Sequence, residues 1–226
     1  MGSDDLFKKR KAHSASDIER KRRHRRIGER ILIVCEGEKT EVFYFKDFCE
    51  DLRLKTLDVR VEPGSRGSSP DRVVAYALEL YEEDARFGED CYDHVYCVMD
   101  RDEHATFDLA LTMLQSRRGR GVPIQAITSF PCFEYWFLCH FKFTRRAFYR
   151  SGGKSPCDEV IARLRGHPGF KDYGKGTRGV YALLKERMAT AVANAENAWV
   201  QACSDGSENP STAVHVLVAK LSRLGE

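Results

Sequence analysis

The chain has 226 residues, of which 42% are hydrophobic, 11% aromatic and 31% charged, enough apolar material for one packed domain and too much for a chain disordered throughout. Its longest apolar runs, residues 31–35 and 135–140, fall far short of the ~18–20 residues that span a bilayer. The opening Met1-Gly2-Ser3-Asp4-Asp5 lacks the apolar stretch of a secretion signal, so a cytoplasmic protein is expected.

The net charge of +3 is unevenly spread: residues 1–30 hold 11 of the 37 Lys and Arg and 5 of the 34 Asp and Glu, leaving a net of −3 on the remainder. Residues 1–28 read as a basic arm, partly disordered or helical, with its charge in bursts at 8–11 and 20–26. Arg22, Arg23, Arg25 and Arg26 are its candidate contacts to a phosphate backbone. A solvated tail without a ligand is the alternative.

Residues 29–140 read as an α/β core. Residues 31–35 form a β-branched-rich run suited to a strand buried on both faces. Helical spacing follows over 40–54 through Val42, Phe45, Phe48, Cys49 and Leu52, then a strand at 57–61 and a Gly/Ser/Arg/Pro loop at 64–70. A helix over 71–87, a buried strand at 94–99, a helix over 105–117 and a strand at 123–128 complete the alternation. This pattern predicts a mostly parallel four-stranded sheet flanked by helices. Residues 141–226 read as a helical C-terminal extension packed on the core, with helices over 156–165, 177–203 and 211–224.

The eight cysteines include no Cys-x-x-Cys pair, so neither a zinc ribbon nor a dithiol redox motif is indicated. Six fall in predicted strands or buried helix faces, as reduced packing residues.

In open α/β sheets ligands bind at the carboxyl ends of the strands. Glu36 follows the first strand directly; Asp100 and Asp102 follow the 94–99 strand. Were these strands parallel neighbours, three carboxylates would converge, and like charges that close favour a hard cation among them. Asp100 and Asp102, two apart, face the same way in extended backbone. Each also has a plainer reading: Asp102 as a helix N-cap, Glu36 and Glu38 as exposed turn residues with Thr40 capping the next helix.

The run Ile31-Leu32-Ile33-Val34-Cys35-Glu36-Gly37-Glu38-Lys39-Thr40-Glu41, with Val98-Met99-Asp100-Arg101-Asp102-Glu103, resembles the Toprim signature of topoisomerases, bacterial primases and OLD-type nucleases. Ser129-Phe130-Pro131-Cys132-Phe133-Glu134-Tyr135-Trp136 leading to His140-Phe141, and Asn209-Pro210-Ser211-Thr212, narrow the resemblance to the RloB family of bacterial defence proteins. It covers roughly residues 28–224. The family usually has Asn where this chain has Phe130.

The resemblance implies a Toprim-like Rossmannoid fold and a Mg²⁺- or Mn²⁺-dependent nuclease that cuts RNA or DNA as a toxic anti-phage effector. Its general acid/base or metal-contacting glutamate falls on Glu36, and its metal-holding aspartates on Asp100 and Asp102. A second ion would need further carboxylates, for which Glu134 and Glu103 are the nearest candidates by motif. Glu134 sits in an apolar helix start, where a charge must either face the site or pair with a basic residue. His140 is a catalytic candidate or a core histidine. Lys175, in a glycine-bearing loop, suits a phosphate or transition-state contact, as do Lys39 and Arg66 less strongly. Asn209 and Ser211 read as a helix start with Pro210 in its first turn. RloB-type proteins also imply an ABC- or AAA-type ATPase partner, since this chain lacks a Gly-x-x-x-x-Gly-Lys-Ser/Thr loop. The alternative is a non-catalytic Toprim-like subunit that binds nucleic acid or the ATPase.

Overall fold

The computed structural model describes residues 28–225 apart from 55–58, 65–66, 68, 88–90 and 102–104. The basic arm, Arg66, Asp102 and Glu103 therefore lie outside the described residues.

The strands are β1 (Ile31–Cys35), β2 (Val59–Pro63), β3 (His94–Asp100), β4 (Ile124–Phe130) and the two-residue β5 (Ser211–Thr212). They form a single sheet in the order β2-β1-β3-β4-β5, parallel except for β5. The helices are α1 (Thr40–Asp51), α2 (Pro70–Phe87), α3 (Phe107–Arg118), α4 (Glu134–Cys139), α5 (Pro156–Leu164), α6 (Val180–Leu184), α7 (Met188–Asp205) and α8 (Val214–Ser222). None among the described residues is long and apolar enough to cross a membrane.

β1 is apolar at every position because both its faces are covered. Ile31, Ile33 and Cys35 join one core, with α1 and α4–α8; Leu32 and Val34 join the other, with α2 and α3. The period-2 alternation of side chains dictates this division. In β3 the same alternation sends Tyr96 and Val98 to the first core and Val95, Cys97 and Met99 to the second. Asp100, the last residue of β3, continues the Tyr96–Val98 row toward α1 and α4.

The first core runs without a break from β1 into α5–α8, so residues 141–226 complete the hydrophobic interior of residues 29–140. Tyr44 anchors it, with its ring against Phe48, Phe133, Trp136, Phe137 and Tyr181. Burying each such large side chain is worth about 1.5–3 kcal/mol. Six of the eight cysteines are buried, and all are free thiols.

Two expectations change. The helix expected over 177–203 is broken into α6, a 3-10 turn (Lys185–Arg187) and α7. Gly179, at φ 71°, holds the left-handed conformation that keeps the helix from starting at residue 177, three residues before Val180. The helix start expected at Asn209–Ser211 is instead a bend at Asn209 and Pro210 that leads into β5. Ser211 and Thr212 pair with Phe130 and Ser129 of β4, and the Ser129 and Thr212 hydroxyls meet at 2.8 Å. Asn209 accepts from Phe148 N at 3.1 Å and donates to Phe148 O at 2.7 Å, while Arg145 donates to Pro210 O at 2.6 Å. These long-range hydrogen bonds outweigh the local helix signal, and the fifth strand they create was not expected.

Candidate active site

β1 and β3 are parallel neighbours with Cys35 opposite Val98. Glu36 N donates to Val98 O at 2.9 Å, which carries the ladder one residue past β1. The Glu36 carboxylate then accepts from Asp100 N at 2.9 Å. The two acids expected to meet are thus tied directly through side chain and backbone.

Glu36 is only 7% exposed and, unlike its neighbours Gly37 and Asp100, is absent from the lining of the adjoining cavity. That cavity, of about 390 Å³, is lined among others by Lys39, Glu41, Asp100, Glu134 and Lys175. Glu41 stands in the first turn of α1 and is 6% exposed. A side chain on Gly37 would collide with its carboxylate, so the Glu-Gly turn is what admits Glu41 to the site. Burial raises the Glu41 carboxyl above its usual range. Hydrogen bonds from its own and the Gly37 backbone N–H oppose this, the Glu134 charge adds to it, and the Lys175 charge works against it.

Glu134 opens α4 and is 1% exposed. Tyr173 Oη donates to its Oε1 at 3.2 Å, and Cys157 Sγ lies 3.4 Å from its Oε2. Lys175 occupies the exposed rim. Burial would lower its ammonium pKa, but the Glu134 charge, helped by Cys157, Cys132 and Asp100, holds it above the usual value. Glu134 therefore both faces the cavity and neighbours a basic group, where the sequence had posed these as alternatives. The Lys175 loop is pinned at Gly176, whose N–H donates to Thr40 Oγ1 at 2.9 Å. Thr40 thereby braces the site and does not cap α1, which has no side-chain cap. Gly176 takes φ 83°, and the Lys39 stem occupies the space a side chain there would need.

Asp100 closes the arrangement. Burial drives its carboxyl well above the ordinary range, and the Glu41, Glu134 and Glu36 carboxylates push it further. Such mutual repulsion is what a divalent cation would relieve, and the donor set of carboxylate oxygens fits a hard ion. The adjacent Arg101 is engaged elsewhere: it pairs with Glu208 and lies over the Phe107 ring, 5.2 Å from its centre.

His140 is a correction. It is 0% exposed, its Nδ1 meets Trp136 O at 3.0 Å, and its ring packs edge-on against Trp136. It is absent from the cavity lining. Burial lowers its pKa to about 4, so it is neutral at pH 7 and serves the core. Its folded value is depressed, so its contribution to stability is complete above about pH 6.5 and is lost as pH falls through 4. That loss is worth about 3 kcal/mol. In denaturant titrations the stability difference between wild type and His140→Phe is expected to shift by about 2–3 kcal/mol in the variant's favour between pH 7 and pH 4.

Glu41 was not among the residues singled out from the sequence. Its position in the first turn of a helix that follows the Glu-Gly turn was the available signal. No curated protein and no solved structure matches the chain. A family model described as RloB-like protein matches residues 31–221, nearly the whole described fold from β1 to α8, and the chain belongs to that family.

Proposed function

We propose that the chain is a Toprim-type nuclease that uses Mg²⁺ or Mn²⁺ to cleave phosphodiester bonds of RNA, tRNA among them, or of DNA. The observation that carries this reading is the hydrogen bond from Asp100 N to the Glu36 carboxylate at the ends of two adjacent parallel strands. Glu41, Glu134 and Lys175 stand around the same opening. Asp100, Glu41 and Glu134 would hold the ion; Asp102, the other aspartate expected to hold it, lies outside the described residues. When bound, it would polarise a phosphoryl oxygen and lower the pKa of an attacking water.

The chain's own groups supply the rest. Lys39 and Lys175 present ammonium charge at the mouth, where it draws a phosphate backbone. Lys175, fixed through Gly176 and Thr40, meets negative charge that develops on the phosphoryl oxygens. Glu36 orients Asp100 through its N–H and is the buried acid/base or metal-contacting carboxylate of this scheme. The basic arm extends phosphate affinity beyond the cavity. The biological role proposed is that of a cytoplasmic toxic effector in anti-phage defence, controlled by an ABC- or AAA-type ATPase. Membership of the RloB-like family supports that assignment.

The purified chain, incubated with tRNA, single-stranded RNA and duplex DNA, is expected to cut at least one of them in Mg²⁺ or Mn²⁺. Chelator in excess should stop the cutting. Substrate that stays intact in both ions, with the ATPase partner present, would favour the non-catalytic binding subunit instead.

A further inference from the structure

Behind the cavity the described residues hold a group with a different donor chemistry. Cys132, Glu134 and Cys157 are all buried, and one ligand atom from each lies within 4.8 Å of the other two. Cys132 sits in the turn between β4 and α4. Cys157 is the second residue of α5, whose start is fixed by a reciprocal cap between Ser155 and Asp158. Both thiols are thus held by the backbone on either side of Glu134.

We infer that Cys132, Glu134 and Cys157 form a site for a thiophilic divalent cation of the Zn²⁺ class, separate in chemistry from the all-oxygen Mg²⁺ site. A tetrahedral ion at ~2.3 Å from sulfur and ~2.0 Å from oxygen sets an S···O edge of about 3.5 Å. The Cys157 thiol donates a hydrogen bond to Glu134 Oε2 with sulfur and oxygen 3.4 Å apart, so an ion that displaces the proton meets this pair at nearly that spacing. Tyr173 Oη donates to the other Glu134 oxygen at 3.2 Å, the outer hydrogen bond that orients a carboxylate ligand. A divalent ion would offset the charge of two thiolates, and the Lys175 ammonium adds a positive charge felt by Glu134, Cys157, Cys132 and Asp100 alike. Three protein ligands leave the fourth position to water. Because Glu134 also lines the cavity, an ion seated on the thiols competes for it with a hard ion.

The binding itself does not depend on nuclease activity. The probe is Co²⁺ added to the full chain in a Cys91→Ser/Cys203→Ser background, which removes the two exposed thiols, with Mg²⁺ in large excess. The expected result is one Co²⁺ per chain, with the absorption of thiolate-to-cobalt charge transfer and tetrahedral coordination, displaced by Zn²⁺. Cys157→Ser and Cys132→Ser should each remove or sharply weaken the charge-transfer band. Glu134→Gln should keep the band but weaken binding by about 10-fold or more, a loss that even an outer partner can cost. A Co²⁺ spectrum without the band in the parent chain overturns the site whether or not the cysteine variants fold. So does a band that survives both cysteine substitutions. Loss of cleavage in an independent assay, with the band intact, would leave this site standing and remove only the nuclease reading.

Discussion

Replacing Glu36 by Gln is expected to lower phosphodiester cleavage on the order of 10³-fold, within the range for loss of a positioned acid/base group. The argument separates chemistry from architecture. Glu36 is nearly buried and its carboxylate accepts from Asp100 N. A glutamine oxygen can accept the same hydrogen bond, so the β1–β3 junction and the placing of Asp100 survive the change. What disappears is a negative charge and a proton-accepting group beside Asp100. Circular dichroism should therefore match wild type, and Tm in chelator should be no lower because one charge that repels Asp100 is gone, while kcat falls. Sequencing of RNA and DNA ends from cells that express the two chains gives the same comparison in vivo. Cleavage retained within about tenfold would show that Glu36 is architectural and move the chemistry to Glu41, Asp100 and Glu134.

The strand ends were legible because β1 and β3 are short apolar runs buried on both faces, and such strands can sit only inside an α/β sheet. Once those strands are neighbours, the convergence of Glu36 with Asp100 follows from where each strand stops. Lys175 was legible as a cation between glycines. Glu41 was hidden because it belongs to a helix whose apolar spacing dominates the pattern. It reaches the cavity only because Gly37 has no side chain in the way. Cys157 was hidden for a different reason: it lies 23 residues from Glu134, and no local pattern joins α5 to the start of α4. β5 escaped because two residues cannot show a period. Its pairing depends on Ser129, Asn209 and Arg145, contacts that chain order alone does not supply. His140 was open between catalysis and the core because its motif position suggested the one and its apolar helix the other; its ring, tucked against Trp136, takes the core.

Asp100→Asn should abolish cleavage and, unlike most changes at a buried polar position, stabilise the metal-free protein at neutral pH. The sign follows from linkage. The Asp100 carboxyl is raised well above its usual value in the fold by burial and by Glu41, Glu134 and Glu36. A carboxyl raised in this way contributes its full stability below about pH 3.8, where it is protonated in both states, and loses it as pH rises through the folded value. Asparagine carries no charge at any pH and so escapes that loss. In chelator at pH 7–8 the variant is expected to gain of order 1 kcal/mol, roughly 2–4 °C in Tm for a domain of this size. The gain should shrink toward pH 4. Added Mg²⁺ should reverse the order, since an ion that binds the folded wild type raises its stability by RT ln(1 + [Mg²⁺]/Kd), whereas the variant lacks the carboxylate that would hold it. Thermal melts at two pH values, each with chelator and with Mg²⁺, measure all four corners. A variant less stable than wild type in chelator at pH 8, with no Mg²⁺ response in either chain, would mean that the carboxylates do not repel one another and that no hard ion is held between them.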